Sequence, residues 1–209
     1  MKLTRIVQQE KQKDRYSIFV DGKYSFSLSE AALLDAGLTV GQELSEEDVK
    51  HWKQESADDK VMGSALRYAA MRLRSVWEME QYLRRKKASP ALAEKILNKL
   101  ININLLNDEA FAKAWVANRR LLRPTSKRKL QQELKAKRVP EEVINITLAE
   151  NEEVDDRSAL REIIAKKRNL PRYKADPLKL MQYLARQGFS YGDIKGLLDE
   201  LENPGQTEP

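Results

Sequence analysis

Between Arg15 and Leu28 the chain reads RYSIFVDGKYSFSL, with Tyr16, Ile18 and Val20 alternating before Asp21-Gly22 and Tyr24, Phe26 and Leu28 alternating after it. Alternation of this period marks strands with one buried face. Asp-Gly between them marks a hairpin, because a type I′ turn needs positive φ at both central residues. LTRIVQQ, residues 3–9, supplies a third strand, which a sheet needs for independent stability. The period then changes. SEAALLDAG predicts a short helix with Ser29 as N-cap and Gly37 as its stop, and SEEDVKHWKQ starts another, with Ser45 and Asp48 at capping-box spacing. These elements make a compact α+β module of about 55 residues, read as a docking or stabilising addition without chemistry of its own.

Beyond the module the apolar spacing is helical and recurs. SVWEMEQYL (75–83), SKRKLQQEL (126–134) and DPLKLMQYL (176–184) align on Leu83, Leu134 and Leu184. Four residues before each leucine stand Met79, Leu130 and Leu180, and eight before stand the N-cap residues Ser75, Ser126 and Asp176. Five residues after it come Ala88, Val139 and Phe189, then Ser89, Pro140 or Ser190, opening a further helix. That helix buries Leu92, Ile96 and Leu97 in the first copy, Val143, Ile144, Thr147 and Leu148 in the second, and Ile194, Leu197 and Leu198 in the third. A longer amphipathic stretch precedes each pair: ALRYAAMRLR, AFAKAWVANRR and ALREIIAKKR. The predicted fold is therefore mainly α: an elongated, solenoid-like array of three tandem three-helix repeats after a small α+β module with a β-hairpin. The expected divisions are 1–56, 57–107, 108–152 and 153–203, with a disordered tail at 204–209.

Composition narrows the chemistry. A third of the 209 residues are charged, 7% are aromatic and there is no cysteine, which excludes disulfides, thiol nucleophiles and thiolate metal sites. The one histidine, His51, has no evident partner for a metal site or a nucleophile. Glu152, Glu153, Asp155 and Asp156 read as a solvated linker, without a histidine or a glycine-rich phosphate loop beside them. No cofactor, metal or catalytic residue is expected, and the protein is read as non-enzymatic. No stretch has the length of a membrane span and the N-terminus lacks a signal-peptide core, so a cytoplasmic monomer without membrane contact is expected.

Charge is unevenly placed: residues 1–60 carry a net −3, 61–149 a net +11 and 150–209 a net −2. Such a basic block is an electrostatic footprint for a polyanion or an acidic protein surface. Its candidate residues are Arg84, Arg85, Lys86 and Lys87, then Arg119, Arg120 and Arg123, Lys127, Arg128 and Lys129, and finally Lys135, Lys137 and Arg138, with Arg168 and Arg172 as outlying additions. Cations at a helix C-terminus are favoured by the macrodipole without any ligand. The third copy reads ARQG at the same turn, with one cation, so the fold does not demand the full cluster. Trp77, Tyr82, Tyr173, Tyr183 and Tyr191 are scattered at helical spacings and read as packing residues, not as a base-stacking platform.

These residues resemble the RecX family of bacterial regulatory proteins. ALRYAAMRLRSVWEMEQYLRRK is similar to the family's first unit, and LLNDEAFAKAWVANR (105–119) to the boundary between its first two. YLARQGFSYGDIKGLLDEL is similar to its third unit, so the likeness runs over about 62–202, and the hairpin module resembles the N-terminal extension of longer members. The glycine usual at the end of the middle helix stands as Gly188 but is replaced by Lys87 and Arg138, and Met79 replaces a usual leucine. The resemblance implies binding to the RecA nucleoprotein filament, with inhibition of its extension, ATP hydrolysis, strand exchange and co-protease function. It thereby implies modulation of recombination and of the SOS response. Single-stranded or duplex DNA is a further candidate partner. Two other classes remain open: a helix-turn-helix-like DNA-binding protein acting independently of RecA, and an apolar-face scaffold indifferent to nucleic acid.

Overall fold

A computed structural model describes residues 1–150 and 156–202. The expectations for Glu152, Glu153 and Asp155 and for the tail 204–209 lie outside the described residues. Strands β1 (Leu3–Gln8), β2 (Arg15–Val20) and β3 (Lys23–Ser29) are followed by helices α1 (Glu30–Ala36), α2 (Glu46–Ala70), α3 (Val76–Arg85) and α4 (Pro90–Asn102). Then come α5 (Asp108–Leu122), α6 (Lys127–Ala136), α7 (Glu141–Ala149), α8 (Asp156–Lys167), α9 (Pro171–Lys174), α10 (Pro177–Arg186) and α11 (Tyr191–Glu202). The chain folds as two compact units, Met1–Arg72 with Met79–Leu105, and Leu73–Glu78 with the chain from Leu106 onward.

In the first unit the sheet is antiparallel in the order β1-β2-β3. Asp21 and Gly22 take φ of 48° and 77°, the positive pair that the hairpin turn requires. Leu3, Ile18, Val20, Phe26 and Leu28 bury one face against Leu38, Leu44 and Val49. Tyr24 departs from the expected alternation and is 55% exposed. A register shift between Ile18 and Phe19 pairs Phe19 with Tyr24, and the two rings meet edge to face outside that core. A polar staple joins the sheet to α2. Asp59 accepts from the buried Arg15 at 2.7 Å, from the Ser29 backbone N–H at 2.9 Å and from its hydroxyl at 2.6 Å. Ser56 adds a hydroxyl bond to the Ser27 carbonyl.

The helix α2 begins at the capping box, in which Ser45 and Asp48 bond reciprocally, and runs unbroken for 25 residues. It crosses position 56, so the last helix of the N-terminal module and the first helix of the repeat array are one element. Its Ala65 and Ala69 are buried, as are Met79, Leu83, Leu92, Ile96 and Leu100 of the same unit.

The repeat is visible in hydrogen bonds. Ser75, Ser126 and Asp176 accept from the N–H groups of Glu78, Lys129 and Lys179, capping α3, α6 and α10. The i, i+4 pairs Met79/Leu83, Leu130/Leu134 and Leu180/Leu184 are all buried. Each of these side chains contributes about 1.5–3 kcal/mol by leaving water. The three helices end alike. Ala88, Val139 and Phe189 donate to Leu83, Leu134 and Leu184 respectively, while Lys87, Arg138 and Gly188 donate to Arg84, Lys135 and Ala185. That is the Schellman pattern, with a left-handed residue at φ of 57°, 56° and 92° in turn. The lysine and arginine that replace glycine therefore keep the turn and adopt a backbone region costing about 1–2 kcal/mol for an L-residue.

In the second unit, successive repeats are tied by one recurring device. The first free N–H of a middle helix, at Val76 and at Lys127, donates to Asp108 and Asp156, the first residues of α5 and α8, at 2.9 and 2.8 Å. Ser75 donates to the Lys137 carbonyl and Thr125 to the Gln187 carbonyl, both across 62 positions. At the equivalent of Val76 and Lys127 the third repeat has Pro177, which has no N–H to satisfy. Asp156 is thus a structural cap, although the sequence reads it as linker. The third repeat also carries the one-turn α9, whose Tyr173 is buried with Ile163, Ile164 and Leu184.

Candidate interaction site

In the first unit the end of α3 presents Arg84, Arg85, Lys86 and Lys87, all exposed and none in an ion pair with a described residue. Lys86 lies 5.5 Å from the centroid of Tyr82, whose ring stacks on Tyr68 at 4.0 Å and whose hydroxyl donates to the Ser64 carbonyl. Tyr82 is therefore held as a packing element beneath the cations. The helix C-terminus accounts for part of the clustering. Four cations on one exposed turn still leave a strong positive potential, with no paired carboxylate among the described residues.

In the second unit the predicted cations divide into two groups. Three are held by carboxylates. Arg119 donates to Glu133 at 2.8 Å beside the Trp115 indole N–H at 2.9 Å, Lys137 pairs with the nearly buried Glu78 at 2.7 Å, and Lys135 pairs with Glu141 at 2.6 Å. Arg119 and Lys137 also lie 5.0 and 5.3 Å from the Trp115 ring centroid, so they serve the packing of this unit. The Lys135 charge holds the Glu141 carboxyl below the usual range by hydrogen bond and by attraction. Arg120 is half-buried, and burial lowers the pKa of its guanidinium against the opposing pull of Asp156. The other group faces solvent: Arg123, Arg128 and Arg138 are exposed, and Lys127 is half-buried. The outlying Arg168 and Arg172 are exposed, the second over the Tyr173 ring.

A groove of about 630 Å³ in this unit collects Arg119, Arg123 and Lys129 from the second repeat and Lys166 and Lys167 from α8. Lys129 Nζ donates to the Arg186 carbonyl at 2.5 Å, and Lys167 sits 4.9 Å from the Tyr183 ring. Glu133 is the one carboxylate in the lining, already engaged by Arg119 and Trp115. Lys166 and Lys167 are absent from the sequence-based set. Their signal is the KKR run at 166–168, of which the sequence-based set holds only Arg168. A second groove, of about 690 Å³ in the first unit, is mixed in sign, with Glu30, Asp35 and Glu55 as well as Arg67, Lys95 and Lys99 in its lining.

His51 is exposed and touches the Trp52 ring. Among the described residues no group of three His, Asp or Glu stands where it could hold a metal ion, and no helix is long and apolar enough to cross a membrane.

A small β-module followed by three-helix repeats, each of the first two capped by the next, with a groove lined by five cations, defines a helical-repeat protein. The comparisons make that class specific. The family description "Regulatory protein RecX N-terminal domain" matches residues 1–45, "RecX, first three-helix domain" matches 62–100 and "RecX, second three-helix domain" matches 107–148. The regulatory protein RecX of Listeria monocytogenes is 32% identical over 193 residues, which cover 91% of this chain and 72% of the relative. That of Bacillus subtilis is 29% identical over 211 residues, covering 99% and 80%. A crystal structure of a regulatory protein RecX superposes with a TM-score of 0.74 at 26% identity, over 95% of this chain and 99% of the other. The structure of RecX from Lactobacillus salivarius gives 0.57 at 25% identity, over 70% and 97%. This chain belongs to the RecX family of regulatory proteins.

Proposed function

We propose that this chain binds the RecA nucleoprotein filament and inhibits RecA, limiting filament extension, ATP hydrolysis, strand exchange and co-protease function and so modulating recombination and the SOS response. It acts by binding, without catalysis of its own, in the cytoplasm and as a monomer. The observation that carries this reading is the set of exposed cations that pair with no carboxylate among the described residues, above all Arg84–Lys87 in one unit and Arg123, Arg128 and Arg138 in the other. A RecA filament offers both DNA phosphates and acidic protein surface to such groups, and attraction of this kind accelerates encounter and falls with salt. Arg119, Lys135 and Lys137 belong to the proposed surface only in part, since each already has a carboxylate.

The direct test is RecA-dependent ATP hydrolysis on single-stranded DNA with this protein at substoichiometric and stoichiometric ratios. Inhibition is expected. Its absence at every ratio would refute the proposal. Reversing Arg84, Arg85, Lys86 and Lys87 to glutamate is expected to weaken filament binding at least tenfold and to flatten its salt dependence. Unchanged affinity removes that turn from the surface.

A further inference from the structure

The last turn of α5 is built inside out. Phe111, Ala112 and Val116 bury the helix's apolar face, with Trp115 packed against them. At about 100° per residue the centre of that face falls next on Arg119, whose guanidinium is pinned by Glu133 with its side chain 30% exposed. Leu121 lies on almost the opposite side. Leu122 falls at the edge of the face where the core has run out. The two are 77% and 72% exposed. Single exposed leucines are ordinary. Two in succession beside a cationic groove are not, and Leu122 lines that groove together with Arg123, Lys129, Lys166 and Lys167.

We infer that Leu121 and Leu122 are the apolar anchor of this surface, and that their occupant is an apolar recess rimmed by carboxylates on a partner protein. The inference rests on the reading given under Proposed function and names how that site is engaged. Charge complementarity selects the occupant. Arg123 follows the leucines and lines the groove with Lys129 and Lys167, none of them in an ion pair with a described residue, while the groove's Arg119 and Lys166 pair with Glu133 and Glu162 and leave its lining net positive. Two leucines offer far too little apolar area to hold a bilayer. A phosphate backbone answers the cations and leaves the leucines in water. An acidic rim around an apolar recess satisfies both, with the leucines slowing dissociation and the cations steering encounter.

The test is the double variant Leu121→Ser/Leu122→Ser, measured against RecA filaments on single-stranded DNA and against the same DNA naked, each at several salt concentrations. The expected result is at least tenfold weaker filament binding with an unchanged salt slope, unaltered binding to naked DNA, and near-native affinity in Leu121→Met/Leu122→Met. A loss below tenfold overturns the inference, as does a flattened salt slope, which would mean that the leucines only place the arginines. An equal loss on naked DNA overturns it in favour of insertion between bases. If the wild-type chain itself binds no filament, the function proposed above fails and this inference falls with it.

Discussion

Gly188 should be the least replaceable of the three turn residues that close the middle helices. An alanine Cβ there would stand 2.3 Å from Ser126 Oγ, 2.8 Å from Lys129 Cβ and 3.3 Å from Lys129 N. The backbone φ of 92° costs an L-residue about 1–2 kcal/mol. Overpacking of this severity adds about 1–3 kcal/mol. The Ser126 hydroxyl that must move is also the cap of α6, worth about 1 kcal/mol. Gly188→Ala is therefore expected to destabilise the second unit by about 3–6 kcal/mol. Gly37→Ala is the control, because Gly37 has a φ of 59° and open space around its missing Cβ. It should cost about 1 kcal/mol, from backbone strain alone. With two compact units a single unfolding free energy is not defined, so the assay is native-state hydrogen exchange, read at the amides of α6 and α10 for one variant and of α1 and α2 for the other. A Gly188→Ala loss within about 1 kcal/mol of the Gly37→Ala loss would show that the close approach does not constrain the turn. The same strain argument makes Arg138→Gly stabilising by about 1 kcal/mol in that assay.

Two more outcomes follow from the first unit. Asp59→Asn should destabilise the sheet by about 3 kcal/mol, because it strands the Arg15 guanidinium, whose side chain is 9% exposed, without its carboxylate; unaltered exchange protection of β2 and β3 would contradict this. Asp48 titrates below the ordinary aspartate range, chiefly because the Ser45 backbone N–H and then its hydroxyl bond the carboxylate. A depressed pKa contributes stability above the unfolded value that is lost as pH falls through the folded one. The residue 45 amide resonance should therefore titrate below the usual aspartate midpoint in wild type and somewhat closer to it in Ser45→Ala, which keeps the backbone N–H; identical midpoints would dismiss the hydroxyl's share of the shift.

The repeat was legible because its signals are local. A cap, an i, i+4 apolar pair and a turn residue each lie within about ten positions of one another, and helical spacing fixes which side chains share a face. The hairpin was legible for the same reason, except at Tyr24, where a bulge broke the alternation. What could not be read was pairing across the chain. Asp156 looks like one more acid in a polar run until Lys127 is seen to donate to it across 29 positions. Likewise Lys137 looks like a free cation until Glu78 is found 59 positions earlier. The candidate surface was read as a list of charges, and the fold sorts it by partner. Arg119, Lys135 and Lys137 are paired with carboxylates, Arg84–Lys87 with none among the described residues, and Lys166 and Lys167 join the groove from a repeat that sequence charge balance had made look acidic.

Pro177 gives the array a direction. Each of the first two middle helices leaves one hydrogen unanswered that only the following repeat can accept, so neither is complete alone. The third, opening on proline, asks for nothing. Copies of the three are therefore not interchangeable parts: a duplicate of the second inserted into the array would find a donor and an acceptor at its two ends, whereas a repeat appended after the third would find no hydrogen waiting there. The order of the repeats is written in a single missing proton.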